Sequence, residues 1–179
     1  MSRFDNREFK PGGSALSRFL WFYVNVLVFR SSLFPFYGLK SALLRLFGAR
    51  VGVGAVIKPC VNIKYPWNLT LGDYVWIGES VWIDNLDQVQ IDSHACVSQG
   101  ALLLTGNHDF TKASFDLITK PIFIGAGAWV GAQALVCPGV TLGEHAVLTA
   151  KSNATKDLDP FGVYAGNPAV KVKDRIITN

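Results

Sequence analysis

One histidine, within Thr105-Gly106-Asn107-His108-Asp109-Phe110, is the first candidate for chemistry in this chain of 179 residues. An imidazole with an ordinary pKa near 6.5 is largely neutral around pH 7 and can take a proton from a hydroxyl there. The chain has three histidines, but His94 and His145 each stand three residues after a large aliphatic residue, Ile91 and Leu142. They share one place in a repeating pattern and are expected to face outward. His108 falls outside that pattern, so the pattern is what must position it.

From residue 51 the sequence reads in sixes. The first residues of the units are Val51, Ile57, Ile63, Leu71, Ile77, Ile83, Ile91, Val97, Leu103, Ile124, Val130, Val136, Leu142 and Leu148, and all 14 are Val, Ile or Leu. Four residues after them runs a second column of small or β-branched residues, among them Ala55, Val61, Ala95, Ala128 and Ser152. That column fails at Trp67, Asp87 and Asn107, just where the unit lengthens from six residues to eight, eight and 21. The failures therefore mark insertions.

One large and one small apolar residue per unit describe a short strand and a corner, and three units close a triangular coil. Stacked at about 4.8 Å, the units predict an all-β parallel β-helix of four to five coils. Gly52, Gly72, Gly78, Gly125, Gly131 and Gly143 follow the aliphatic column by one residue and are expected at corners with positive φ. Residues 105–122 form an excursion that carries Phe110, Phe115, Leu117 and Ile118, a composition that should pack against something, with a neighbouring subunit the natural candidate.

Residues 1–50 are predicted as an N-terminal helical cap and 51–179 as the β-helix domain with its loop and C-terminal tail. LSRFLWFYVNVLVF and YGLKSALLRLFG suit helices, with Pro35 between them and Gly48 as a stop. Residues 15–47 either close the open end of the β-helix or lie on a membrane surface, to which Arg18, Arg30, Lys40 and Arg45 beside Trp and Phe are suited. The apolar run at 19–29 is too short for an ordinary spanning helix.

Half the residues are hydrophobic and 17% are charged, which excludes a disordered chain. A net charge of +4 suits anionic small molecules or an acidic membrane surface and does not mark a nucleic-acid binder. Cys60, Cys96 and Cys137 lack a CxxC pair and read as free thiols in a reducing compartment, with no signal-peptide layout before them. Cytoplasmic localisation is expected, with the inner face of the cytoplasmic membrane as the place of any membrane contact.

From about residue 51 to 175 the chain resembles the hexapeptide-repeat O-acetyltransferases of the galactoside, maltose and nodulation-factor group. Within that group it is most similar to the acetyltransferases of colanic-acid and other exopolysaccharide synthesis. The resemblance rests on PGVTLGEHAVLTA (138–150), TKD (155–157), VYAGNPA (163–169) and a histidine soon after the eighth or ninth unit. It implies a left-handed β-helix, a homotrimer with active sites between subunits, acetyl-CoA as co-substrate and no metal. His108 matches the family's general base, which takes the proton of a sugar hydroxyl as the oxygen attacks the thioester. Asp116 is the candidate carboxylate to orient its ring.

The resemblance places acceptor recognition on Asp84 or Asn85, with Asn107 beside the base. It places the pantetheine arm near Trp129, Gly131, Ala132 and Ala150, where backbone amides would bind it. Thr155, Lys156 and Lys173 would meet the nucleotide phosphates, with Gly166 and Pro168 shaping the adenine end. Lys151 stands where a small residue is usual. The acceptor is expected to be a sugar, either lipid-linked, nucleotide-linked or free. Two other readings of the fold remain at this point: a metalloenzyme with three converging histidines, and a non-catalytic β-helix protein.

Overall fold

The structure, a computed structural model, describes residues 9–178; residues 1–8 of the expected cap lie outside them. Its body is a triangular prism of parallel strands. The first face is built by Arg50–Val51, Leu69–Leu71, Val89–Ile91, Ile122–Ile124 and Thr141–Leu142. The second begins with Val56–Ile57, Trp76–Ile77, Cys96–Val97, Trp129–Val130 and Val147–Leu148. The third is built by Asn62–Ile63, Trp82–Asp84, Leu102–Leu104, Leu135–Val136 and Asn153–Ala154.

The aliphatic column fills the axis. Thirteen of its 14 residues are buried, and Val51, at the end of the stack, is half-buried. Each such side chain contributes roughly 1.5–3 kcal/mol relative to an exposed one. Leu69, Val89 and Ile122 are also buried, two residues before the aliphatic residue that follows each long insertion. They take the place that Trp67, Asp87 and Asn107 fail to fill.

Five complete coils form, and a sixth begins at the bridge between Leu142 and Leu158 and continues in Gly162–Gly166. This exceeds the four to five expected. Ala154 completes the fifth coil as a fully buried alanine, too small to register in a Val/Ile/Leu column. The strand Ala169–Asp174 then folds back antiparallel on Gly162–Gly166 at the edge of the second face.

The glycine expectation is corrected. None of the six glycines that follow the aliphatic column has positive φ; the positive angles fall two residues later, at Gly54, Tyr74, Ser80, His94, Gln133, His145 and their equivalents. The six are needed for close approach instead: a Cβ on Gly131 would sit 2.5 Å from the Ala150 nitrogen, and one on Gly72 would sit 2.5 Å from that of Ser93. In the corner series the side chains stack from coil to coil. Tyr74 lies over His94 at 5.3 Å, and His145 packs on Phe161 at 4.9 Å. The two in-register histidines thus belong to one edge ladder.

Strand N–H groups donate toward the next coil, as Gly52 to Leu71 at 2.8 Å, Lys58 to Ile77 at 3.0 Å and Lys64 to Ile83 at 3.1 Å. In the first coil the carbonyls of Val51, Ile57 and Ile63 point away from the stack, whereas those of Val53 and Pro59 accept from Tyr74 and Ser80 of the next coil. Helix α1 (Ala15–Val24), a π-helical turn at Asn25–Phe29 and helix α2 (Tyr37–Leu46) cover this end. On the first face Arg45 donates to the Val51 and Gly52 carbonyls. On the second, Lys40 donates to Ile57 and Lys58, and on the third Trp21 Nε1 donates to Ile63 at 2.9 Å. One side chain per face satisfies acceptors that would otherwise be orphaned. No helix of the described residues is long and apolar enough to cross a membrane.

Candidate active site

The excursion leaves at the edge between the third and first faces and forms an antiparallel hairpin, Gly106–His108 with Leu117–Thr119. Its root is fixed by Thr105, which is fully buried and donates its hydroxyl to the Asp84 carbonyl at 2.8 Å. Gly106 passes so close to the coil below that a Cβ would lie 2.6 Å from a Leu86 methyl. At the tip, the Thr111 hydroxyl and amide both bond Asp109, which holds that carboxyl below its usual range. Phe110 is 80% exposed, so a protomer alone does not bury the apolar residue at the tip.

The imidazole of His108 is clamped by its own hairpin. Its ring stacks on Phe115, 4.4 Å between centroids and 9° from parallel. Its Nδ1 lies 2.9 Å from the Phe115 carbonyl oxygen. A carbonyl only accepts, so the neutral ring carries its proton on Nδ1 and its lone pair on Nε2. Phe115 itself adopts φ +52°, a conformation bulky residues rarely take, and this turns its carbonyl toward the ring. Asp116, the expected orienting carboxylate, accepts from Lys112 on Oδ2 at 3.0 Å, a hydrogen bond that also raises the lysine pKa. The position facing Nδ1 is taken by a backbone oxygen.

Asp84 and Asn85, left as alternatives by the sequence, are separated. Asn85 is fully buried and both ends of its amide bind the backbone of Tyr65, so it secures a corner and is corrected out of the acceptor site. Asp84 lies 2.9 Å from the ammonium of Lys64. Lys64 escaped the sequence reading, although it occupies the place of Asp84 one coil earlier and the register could have found it. Asn107 is exposed, and its Oδ1 accepts from the His108 amide at 2.8 Å.

The remaining candidates fall on three parts of the prism. Trp129 and Lys173 line an open groove of about 570 Å³ on the second face, together with Val147, Thr149, Val163 and Arg175. Trp129 is steadied by its Nε1–H, which donates to Ser98 at 2.8 Å. Ala132, Ala150 and Gly166 follow the edge between the second and third faces: Lys151 donates to the Ala132 carbonyl, and Gly166 to the Ser152 hydroxyl. Pro168 is in the turn after Gly166 and is exposed. Thr155 and Lys156 are exposed at the end of the third face, on the same edge as the His108 hairpin.

Gly131 is the second correction. Its N–H donates to Leu148 at 2.7 Å, so that amide is committed to the coil and does not donate to a pantetheine arm. Val147, Thr149 and Val163 line the groove without a sequence signal beyond strand alternation. Burial raises the thiols of Cys96 and Cys137 above the usual cysteine range. Among the described residues no three His, Cys, Asp or Glu side chains converge as metal ligands. His94 and His145 are on the edge between the first and second faces, a different edge from His108.

No protein-family model matches the sequence. The chain is 41% identical over 167 residues to the putative colanic acid biosynthesis acetyltransferase WcaF of Escherichia coli, covering 93% of this chain and 92% of that one. It is 28% identical over 138 residues to the galactoside O-acetyltransferase of Escherichia coli, covering 75% and 68%. The fold matches that of a hexapeptide-repeat acetyltransferase of Vibrio cholerae solved with acetyl-CoA, at a TM-score of 0.81 and 22% identity over 93% and 92% of the chains. The protein belongs to the hexapeptide-repeat acetyltransferases. Its activity is acetyl transfer from acetyl-CoA.

Proposed function

We propose that the protein is an O-acetyltransferase that moves the acetyl group of acetyl-CoA to a sugar hydroxyl in the synthesis of an exopolysaccharide of the colanic-acid type. The observation that carries the chemistry is the Phe115 carbonyl at Nδ1 of His108, which leaves the basic lone pair on Nε2. The sugar oxygen attacks the thioester carbonyl while Nε2 takes its proton. The tetrahedral intermediate collapses, the C–S bond breaks, and the imidazolium returns the proton to the departing CoA thiolate. Positioned proton transfer of this kind typically supplies about 10²–10⁴-fold.

Asp84 accepts from a sugar hydroxyl, and Asn107 borders the same space. Trp129, Ala132 and Ala150 flank the pantetheine arm, Gly166 and Pro168 the adenine end, and Lys173, Thr155 and Lys156 the phosphates. Trp129 and Lys173 are on the second face, whereas His108, Thr155 and Lys156 share a different edge. One acetyl-CoA meets both sets if the groove of one protomer faces the hairpin edge of the next. That division supports a homotrimer with sites between protomers. The identity to WcaF over most of the chain supports the sugar acceptor and the pathway, with the enzyme on the cytoplasmic side where acetyl-CoA is made.

The test is His108→Ala assayed with acetyl-CoA and a panel of sugar acceptors. Turnover should fall about 10²–10⁴-fold while acetyl-CoA still raises the melting temperature of the variant. Near-native turnover would overturn the assignment of the base.

A further inference from the structure

A cleft outside the acetyl-transfer groove has no assigned role. It opens between helix α1 and the first two coils of the third face, with a volume of about 300 Å³. Arg18, Arg30 and Lys64 line it together with Phe22, Tyr65 and Trp82. Among the described residues no carboxylate lines it, and Asp84, paired with Lys64, adjoins it. Three cations against one carboxylate leave a net charge of about +2 beside aromatic faces. Such a combination receives a phosphate on the guanidinium and ammonium groups and a sugar ring on the indole.

The cleft leads to the reacting centre. Lys64, Asp84 and Leu104 are neighbours on successive coils of the third face, and Asp84 pairs in register with Leu104. The chain then passes through Thr105 into the strand that ends at His108. A ligand with its phosphate near Arg30 therefore has its sugar carried toward Asp84 and the base, at about 4.8 Å per coil.

The other side of α1 says what carries the phosphate. Leu16, Phe19, Leu20, Tyr23 and Leu27 recur at helical spacing and are all 45–65% exposed, and Leu33 beyond them is 81% exposed. The surrounding charge is one-sided. Residues 9–72 contain eight Lys or Arg and no Asp or Glu, a net of +8, whereas residues 73–179 contain seven cations and eleven carboxylates, a net of −4. An apolar stripe in a segment this rich in cations is the signature of a helix lying in an anionic bilayer interface.

We propose that this cleft binds the phosphate of a glycolipid acceptor, in which a phosphate or diphosphate joins the sugar to a hydrocarbon chain. This rests on the O-acetyltransferase reading and adds the carrier of its sugar. The helix stripe enters the interface, Arg30, Arg18 and Lys64 hold the phosphate, and Trp82 packs on the first sugar. Hydrocarbon leaves toward the bilayer past Phe22.

Calorimetric titration of the whole protein with farnesyl diphosphate, farnesol and uridine diphosphate tests this without any transfer step, so its outcome is independent of the His108→Ala result. Farnesyl diphosphate should bind at least tenfold more tightly than either of the others. Arg30→Gln and Lys64→Gln should each weaken it about tenfold, and Arg30→Lys should recover most of the loss. Acetyl-CoA binding by the same variants reports that the fold is intact. Equal or tighter binding of uridine diphosphate would point to a nucleotide-linked sugar and overturn the proposal. So would farnesol binding as well as its diphosphate, or a native affinity in Arg30→Gln.

Discussion

The carbonyl oxygen of Phe115 accepts from Nδ1 of His108 at 2.9 Å, and the two rings stack 4.4 Å apart. A backbone group thus sets the tautomer of the base, and a side chain seven residues further on sets its plane. The strained φ of Phe115 is retained because the hairpin on either side is fixed by the Gly106–Thr119 pairing and by Asp109 N donating to the Asp116 carbonyl.

Phe115→Ala keeps the carbonyl and removes the ring. The imidazole gains rotational freedom, so kcat should fall about tenfold, in line with the sensitivity of proton transfer to small misplacements. The KM for acetyl-CoA should stay within about twofold. Steady-state kinetics with both substrates varied would settle it, and an unchanged kcat removes the ring from the positioning role.

Asp84→Asn and Asn85→Ala should separate acceptor recognition from architecture. The first should raise the acceptor KM by about tenfold or more with little change in melting temperature, because its carboxylate faces Lys64 at the cleft. The second leaves the Tyr65 amide without a partner and its carbonyl with the Asn68 amide alone, and should cost about 1–3 kcal/mol of stability. If Asn85→Ala alone affects the acceptor KM, the two roles are reversed.

Lys40 gives the pH dependence. It is fully buried, and burial lowers its pKa from 10.5 against a smaller opposing pull from Cys60. Between the lowered value and 10.5 the unfolded chain binds more protons than the folded one, so stability rises with pH across that window. Lys40→Met lacks this rise and abandons the Ile57 and Lys58 carbonyls, at a cost of about 1–3 kcal/mol near neutral pH. Urea unfolding of both proteins from pH 7 to 10.5 should show the wild type gaining on the variant as pH increases; a constant difference would mean that the amine is not perturbed.

The prism could be read from the sequence because every coil repeats one burial pattern. Ile57, Ile77 and Val97 meet the same environment, and selection for it leaves a six-residue period. The same rhythm singled out His108 by its absence and placed His94 and His145 on an outer edge. What the sequence could not carry are contacts made by backbone atoms, which have no residue type. The Phe115 oxygen at His108 is one, and the downward carbonyls met by Arg45, Lys40 and Trp21 are others. The choice between Asp84 and Asn85 was also tertiary, since neighbours in a strand face opposite ways and an eight-residue unit blurs which is which. The glycines make the same point: their spacing was visible, but only stacked coils reveal that they yield to the next backbone rather than to a turn.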